Sequence, residues 1–143
     1  MNRDEILQTN GPDRWAADFS HVLIVGRSQI NKVVVSKIVE RSGLKPLAEM
    51  PESAGKVLHQ VVPGTIILDG GSDNKDCDGV IEHIVGLRRA SGKDAPLIIL
   101  LSNRTGDIRS LSLSSAVDAV VAKPITPERL QPVVEQMVMR GRR

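Results

Sequence analysis

Short runs of apolar residues recur along the chain and alternate with stretches of helical periodicity. Five of these runs predict β-strands: Val22–Val25, Leu44–Met50, Thr65–Asp69, Pro96–Leu101 and Ala119–Lys123. Most of them are continuously apolar rather than alternating, which is typical of strands buried on both faces of a parallel sheet. The pattern therefore favours a sheet covered by helices on both sides.

The segments between the strands predict helices with one apolar face each. The proposed inward faces are Ile30, Val34 and Ile38, then Ala54, Val57, Leu58 and Val61, then Val80, Ile84 and Leu87. The last helix begins with a capping Thr126 and with Pro127 at its first position, and Pro132 should kink it. The serine-rich segment Gly106–Ala116 is only weakly helical. In total, five strands alternate with five helices.

This alternation predicts an α/β fold, a doubly wound five-stranded parallel sheet with strand order 2-1-3-4-5 and helices on both faces. Sites in such sheets lie beyond the carboxyl ends of the strands, where the order reverses. Residues at four strand ends would then cluster at one edge: Gly26, Arg27, Asp69, the Leu101–Ser102 pair and Lys123. We divide the chain into an N-terminal extension (1–20), the α/β domain (21–139) and a basic tail (140–143).

Composition narrows the class of protein. The chain has 143 residues, 41% of them hydrophobic and 25% charged, as expected for one soluble globular domain. A net charge of +2 gives no field that would attract nucleic acid. We find no apolar run that could span a membrane and no secretory signal. A single cysteine, Cys77, excludes an internal disulfide, which fits a cytoplasmic protein.

Other candidate chemistry is weak. The loop around Asp76, Asp78 and Gly79 imitates part of a calcium loop, but Val85 stands where a bidentate glutamate is needed. Cys77 in that loop is expected to be exposed. The three histidines, His21, His59 and His83, lack the spacing of a metal pair or of a nucleophile with its base. We therefore predict no catalytic residues, no metal site and no enzyme activity.

Several blocks of the sequence resemble the receiver domain of bacterial two-component response regulators, over about His21 to Val138. They are "VLIVGRSQINKVVVSKIVE", "TIILDGG", "DCDGV", "PLIILLSN" and "VVAKPITPERL". The resemblance implies a flavodoxin-like receiver fold with Asp69 at the phosphoacceptor position and Lys123 contacting the phosphoryl group. It also implies a cis bond between Lys123 and Pro124, a histidine kinase as phosphodonor, and Mg²⁺ bound by an acidic pair after the first strand.

The chain departs from this family pattern at positions that affect the mechanism. Gly26 and Arg27 replace the acidic pair, and arginine offers no oxygen ligand for Mg²⁺. Leu101 aligns with the family's hydroxyl residue, and only a one-residue shift brings in Ser102. Val120 replaces the aromatic switch residue, and the loop after Asp69 is longer than usual. The chain therefore looks divergent and pseudo-receiver-like, with no cofactor expected and Mg²⁺ binding doubtful.

These departures lead to a hypothesis about Arg27. The guanidinium could occupy the metal position and pair with Asp69, or it could point outward into solvent. In the first case Arg27 and Lys123 would together hold the carboxylate ionised. Asp69 would then be a poor phosphoryl acceptor, because cations must neutralise the charge that develops during transfer.

Three functions are compatible with the sequence. The leading one is a receiver domain in phosphorelay signalling that acts mainly through protein–protein interaction. The alternatives are an active receiver phosphorylated on Asp69 by a histidine kinase, and a small-ligand or metal-sensing domain that uses the Asp-rich loop. Expected partners are a histidine kinase or a downstream signalling protein. A homodimer could form through the family's face of fourth helix, fifth strand and fifth helix, near Leu111, Leu113, Val120 and Leu130. Trp15 and Phe19 are expected to anchor the extension on the core or to contact a partner.

Overall fold

A five-stranded parallel sheet forms the centre of the molecule in the computed structural model, which describes residues 17–106, 108–111 and 113–142. The strands are β1 (Asp18–Val25), β2 (Lys45–Glu49), β3 (Pro63–Asp69), β4 (Leu97–Ser102) and β5 (Ala119–Ala122). The helices in this part of the chain are α1 (Gln29–Arg41), α2 (Ala54–Gln60), α3 (Asp78–Ser91) and α4 (Pro127–Gly141). The strand order is β2-β1-β3-β4-β5, which confirms the predicted topology.

Two apolar cores cover the two faces of the sheet. Successive side chains of β1 point to opposite faces, so Val22 and Ile24 join one core while Leu23 and Val25 join the other. The first core is closed by α1 and α4, and the second by α2 and α3. Every residue of β3 and of β4 is buried, as the continuous apolar runs predicted. No helix among the described residues is both long and apolar enough to cross a membrane.

The inward face of α1 differs from the prediction. Val35, Ile38 and Val39 are buried against the sheet, whereas Ile30 is 76% exposed and Val34 is also exposed. Apolar residues occupy nearly the whole circumference of α1, and adjacent positions are about 100° apart, so the pattern allowed two faces. The sheet selects the residues spaced i, i+3 and i+4. The prediction was wrong for Ile30 and Val34 and right for Ile38.

The predicted helix between β4 and β5 is absent from the described residues of Gly106–Ala116, which form turns. The helix is absent because the serine side chains compete for backbone hydrogen bonds and favour turns over helix. Arg88 of α3 fixes the end of this segment instead. Its guanidinium donates to the carbonyl oxygens of Pro96 and Ala116 and to Oδ2 of Asp118, just before β5.

The first and last residues of the domain differ slightly from the predicted boundaries. β1 begins at Asp18, within the predicted extension, and α4 continues to Gly141, within the predicted tail. Thr126 caps α4 through a hydrogen bond from the Arg129 N–H, and α4 continues through Pro132. The Lys123–Pro124 bond is cis, as the resemblance implied, and so is Ala95–Pro96.

Phe19 of β1 packs against the first core, beside Gly64 and Gly141. A Cβ on Gly64 would lie 2.7 Å from the Cα of Phe19 and would collide with its ring, and a Cβ on Gly141 would collide with the ring as well. Phe19 is thus an intramolecular anchor between β3 and the end of α4. Its expected companion, Trp15, lies outside the described residues.

Candidate functional site at the carboxyl edge of the sheet

The predicted strand-end residues meet at one edge of the sheet. In the parallel register Asp69 of β3 lies opposite Leu101 of β4, and Leu101 lies opposite Val121 of β5. Asp69 is therefore flanked by the end of β1 on one side and by the end of β4 on the other. Gly26, Asp69 and Lys123 come together as predicted.

Three hydrogen-bond donors occupy both oxygens of the Asp69 carboxylate. Nζ of Lys123 lies 2.6 Å from Oδ1, and the backbone N–H of Gly71 donates to the same oxygen over 3.2 Å. Nδ2 of Asn31 donates to Oδ2 over 2.8 Å. The Asp69 side chain is 6% exposed and that of Lys123 is 17% exposed. The carboxylate is thus held within a nearly dry, positively charged pocket.

These contacts fix the charge of Asp69. Burial alone would raise the pKa of the carboxyl group, because removal from water disfavours its charged form. The hydrogen bonds from Asn31, Lys123 and Gly71, together with the Lys123 charge, outweigh burial and hold the pKa below its usual range. Asp69 is therefore ionised at neutral pH, and its charge is neutralised by a cation of the chain itself.

Asn31 is a site residue that the sequence analysis missed. It stands in the first turn of α1, where its backbone N–H donates to Oγ of the capping Ser28. This cap fixes the start of the helix and places the amide side chain over the end of β3. A useful signal was present, because a capping serine followed three residues later by a polar residue marks a helix start at the strand edge.

The hypothesis that Arg27 pairs with Asp69 was wrong. Nη2 of Arg27 lies 2.6 Å from Oε1 of Glu52, and Nε lies 3.9 Å from Oδ2 of Asp76. The Arg27 side chain is 53% exposed. It projects toward the β2–α2 and β3–α3 loops, where Glu52 and Asp76 lie. Gly26 is the residue packed against Asp69, and a Cβ on it would lie 2.7 Å from the Cβ of Asp69.

The two candidates at the end of β4 have different roles. Leu101 is buried in the first core, while Ser102 is the last residue of the strand and is also buried. Oγ of Ser102 accepts hydrogen bonds from Nδ2 of Asn74 and from the N–H of Arg104, each over 3.0 Å. Ser102 therefore joins the loop after β3 to the loop after β4, and Val120 packs on the second core.

Cys77 is buried, which corrects the expectation that it is exposed. The loop after β3 folds back under the site, and Sγ of Cys77 donates to the carbonyl oxygen of Asp69 over 3.4 Å. Burial, with a smaller effect of the negative charge of Asp69, raises the pKa of the thiol to about 12. The thiol is therefore protonated and unreactive at neutral pH.

The residues at this edge do not fit Mg²⁺. The ion needs several oxygen ligands in near-octahedral geometry. Here both oxygens of Asp69 already accept hydrogen bonds, and a side chain on Gly26 would meet Asp69. Within the described ranges, no group of three or more His, Cys, Asp or Glu side chains could hold a metal ion. In the calcium-like loop, Asp76 contacts Gly71 and Asp78 begins α3.

The sheet order and the helices on both faces give the fold that is found in response-regulator receiver domains. Several solved structures of response regulators have a similar fold. The chemotaxis response regulator CheY4 of Vibrio cholerae is similar at 19% identity and a TM-score of 0.67, covering 84% of this chain and 99% of that chain. A response regulator from Thermotoga maritima is similar at 16% identity and a TM-score of 0.66, covering 83% of this chain and 97% of that chain.

The signal receiver domain of the DNA-binding response regulator protein merR from Colwellia psychrerythraea 34H has a similar fold as well. Its identity is 20% and its TM-score 0.65, and the match covers 85% of this chain and 99% of that chain. No protein-family model and no curated protein sequence matches the chain. At these identities the likeness establishes the receiver fold.

Proposed function

We propose that this chain is a degenerate receiver domain of two-component signalling that acts by binding a protein partner rather than by accepting a phosphoryl group. We also propose that the chain is not an enzyme and that it works in the bacterial cytoplasm. Its expected partners are a histidine kinase or a downstream signalling protein.

One observation carries the proposal: Lys123, Asn31 and Gly71 occupy the carboxylate that a receiver would phosphorylate. Asp69 could attack phosphorus only after Oδ1 or Oδ2 lost a donor. A metal would also have to be held where Gly26 and Arg27 provide no carboxylate. Both requirements work against phosphoryl transfer and favour a single state of the site.

The exposed side chains suggest where the partner binds. The exposed large apolar residues in the described part of the chain are Ile30, Val33, Val34, Met50 and Met139. Three of them lie on α1, which also supplies Asn31 to the site. On the other expected face Leu130 is fully buried, and Leu111, Leu113 and Val120 are half-buried, so it offers less exposed apolar surface than α1. We therefore place the partner surface on α1 and keep a homodimer as one possible occupant.

The test is incubation with acetyl phosphate and Mg²⁺, followed by intact-mass measurement. We expect no phosphoryl adduct on the wild-type chain, with a known active receiver labelled in parallel as the positive control. An adduct that forms stoichiometrically and disappears in Asp69→Asn would overturn the proposal.

That outcome would instead support the second candidate, an active receiver phosphorylated on Asp69. Nζ of Lys123 now lies 2.6 Å from Oδ1 of Asp69, so a phosphoryl group on this carboxylate would need the lysine to move from the carboxylate oxygen to the phosphoryl oxygens. In this candidate, the lysine would contact the phosphoryl group once Asn31 had released Oδ2.

A further inference from the structure

His59 and His83 are 24 positions apart in the sequence, yet the fold brings their side chains together. His59 lies in the last turn of α2 and His83 in the middle of α3. Their ring centroids are 5.5 Å apart and the ring planes meet at 82°. Their spacing in the sequence gives no sign of a metal pair, and only the fold brings the two rings close.

The spacing of the rings suits a shared metal ion. Two imidazoles on one tetrahedral Zn²⁺, with Zn–N bonds of roughly 2.0–2.1 Å, have centroids roughly 5 to 6 Å apart. Gly55 stands one helical turn before His59, on the same face of α2. A Cβ on Gly55 would lie 3.7 Å from Nδ1 and Cε1 of His83, so this nitrogen-bearing edge faces α2.

The surroundings leave room for further ligands. His83 and Gly55 line a cavity of about 350 Å³, together with Arg27, Glu52 and Asp76. His59 is exposed and does not line this cavity, so an ion held between the two rings lies beside the cavity and takes water as its further ligands. The carboxylates of Glu52 and Asp76 both face Arg27, so they offset its positive charge near the ion.

We propose that His59 and His83 form a two-imidazole binding site for Zn²⁺ or a similar imidazole-preferring divalent ion, bridging α2 and α3. Imidazole selects such ions over Mg²⁺ and Ca²⁺, which prefer oxygen. With two protein ligands the site is exchangeable rather than permanent. The ion ties α2, a helix of seven residues with two buried side chains, to the longer α3.

The test is calorimetric titration of the folded protein with Zn²⁺, with Mg²⁺ and Ca²⁺ titrated in parallel. We expect one Zn²⁺ per chain and no heat from the other two ions. His59→Gln and His83→Gln should each weaken Zn²⁺ binding at least about tenfold, because each removes half of the protein ligands. Circular dichroism of the variants confirms that they are folded, and His59 is exposed enough for the change to be tolerated.

His21→Gln is the matched control, because Nδ1 of His21 already lies 2.8 Å from Oδ2 of Asp18 at the far end of β1. This variant should bind Zn²⁺ like the wild type. Zn²⁺ should also raise the unfolding midpoint of the wild type and of His21→Gln, but not of His59→Gln, since an ion that binds the native state stabilises it. The proposal is overturned by absence of Zn²⁺ binding, by binding that survives His59→Gln, or by binding that is lost in His21→Gln.

Discussion

The buried carboxylate of Asp69 is tolerated because both of its oxygens accept hydrogen bonds. An isolated ionised carboxylate would be far too costly in this environment, and a cation plus two further donors make it acceptable. Lys123 supplies the charge, whereas Asn31 and the Gly71 N–H supply neutral hydrogen bonds. The charge of Asp69 is therefore balanced without a metal ion. Loss of any one of these partners should lower the stability of the fold.

We expect strong energetic coupling between Asp69 and Lys123. Lys123→Met leaves the buried Asp69 carboxylate without its cation, so it should destabilise the fold by about 3 kcal/mol. Asp69→Asn leaves the partly exposed Lys123 without its carboxylate and should cost less. The double variant should lose less than the sum of the single losses, with a coupling energy on the order of 1 to 3 kcal/mol. Urea unfolding of the wild type, the two single variants and the double variant measures this.

Arg27→Met provides the matched comparison, because Arg27 pairs with Glu52 rather than with Asp69. Its effect should add to that of Asp69→Asn within about 0.5 kcal/mol. Additive losses for Asp69 and Lys123, or strong coupling between Arg27 and Asp69, would contradict the assigned pairs.

Sequence reasoning could predict part of this site, for a physical reason. Strand ends of a parallel sheet meet at one edge, so the proximity of Asp69 and Lys123 followed from the strand pattern together with the strand order 2-1-3-4-5. The partners that Asp69 and Arg27 find on loops and helices could not be predicted from the strand pattern. The rotation of α1 about its axis decides that Asn31 reaches Asp69, and Arg27 pairs instead with Glu52, which follows β2. Neither is encoded in a local pattern.

At the scale of elements, the strands were the most predictable part because their burial on both faces leaves a continuous apolar signature. The segment between β4 and β5 was the least predictable, since its serines weaken the helix without specifying which turns replace it. Contacts from elsewhere decide its end: Asp118 accepts from Arg88 of α3 and from the Ile98 N–H of β4. Long-range hydrogen bonds of this kind are invisible to periodicity.

We expect opposite effects for alanine at two glycine positions, one packed against Phe19 and one in open space. Gly64→Ala should destabilise the fold by about 1 to 3 kcal/mol, because the new methyl group meets the backbone and ring of Phe19. Gly86→Ala should stabilise it by about 0.5 to 1 kcal/mol, because Gly86 lies within α3 with open space around it. Thermal unfolding of both variants gives the comparison.

Gly141→Ala extends this test to the last turn of α4. There the added methyl group meets the Phe19 ring but not its backbone, so a small ring movement can relieve the contact. Its cost should fall below that of Gly64→Ala. Equal stability of Gly64→Ala and the wild type would argue against Phe19 as the anchor of the first core.

At the scale of the whole molecule, the charge state of the site and the stability of the fold are linked. Asp69 lies between the two cores, at the end of a strand whose every residue is buried. Protonating it would remove its attraction to Lys123 while the carboxyl group remained buried. Acid should therefore act on the fold partly through this one carboxyl group.

The direction of this pH effect follows from the pKa of Asp69, which lies lower in the folded chain than its ordinary value. Its stabilising contribution is fully present above the unfolded pKa of roughly 4 and is lost as pH falls through the folded pKa. Asp69→Asn should thus be less stable than the wild type at neutral pH, and the difference should shrink below about pH 4.

Asp18→Asn is the control. Hydrogen bonds from Ser20 lower the pKa of Asp18 to about 2, yet that side chain is 49% exposed, so solvent weakens the effect on stability. Urea unfolding across the acid range measures both variants. A constant difference between Asp69→Asn and the wild type at every pH would mean that Asp69 does not carry this linkage.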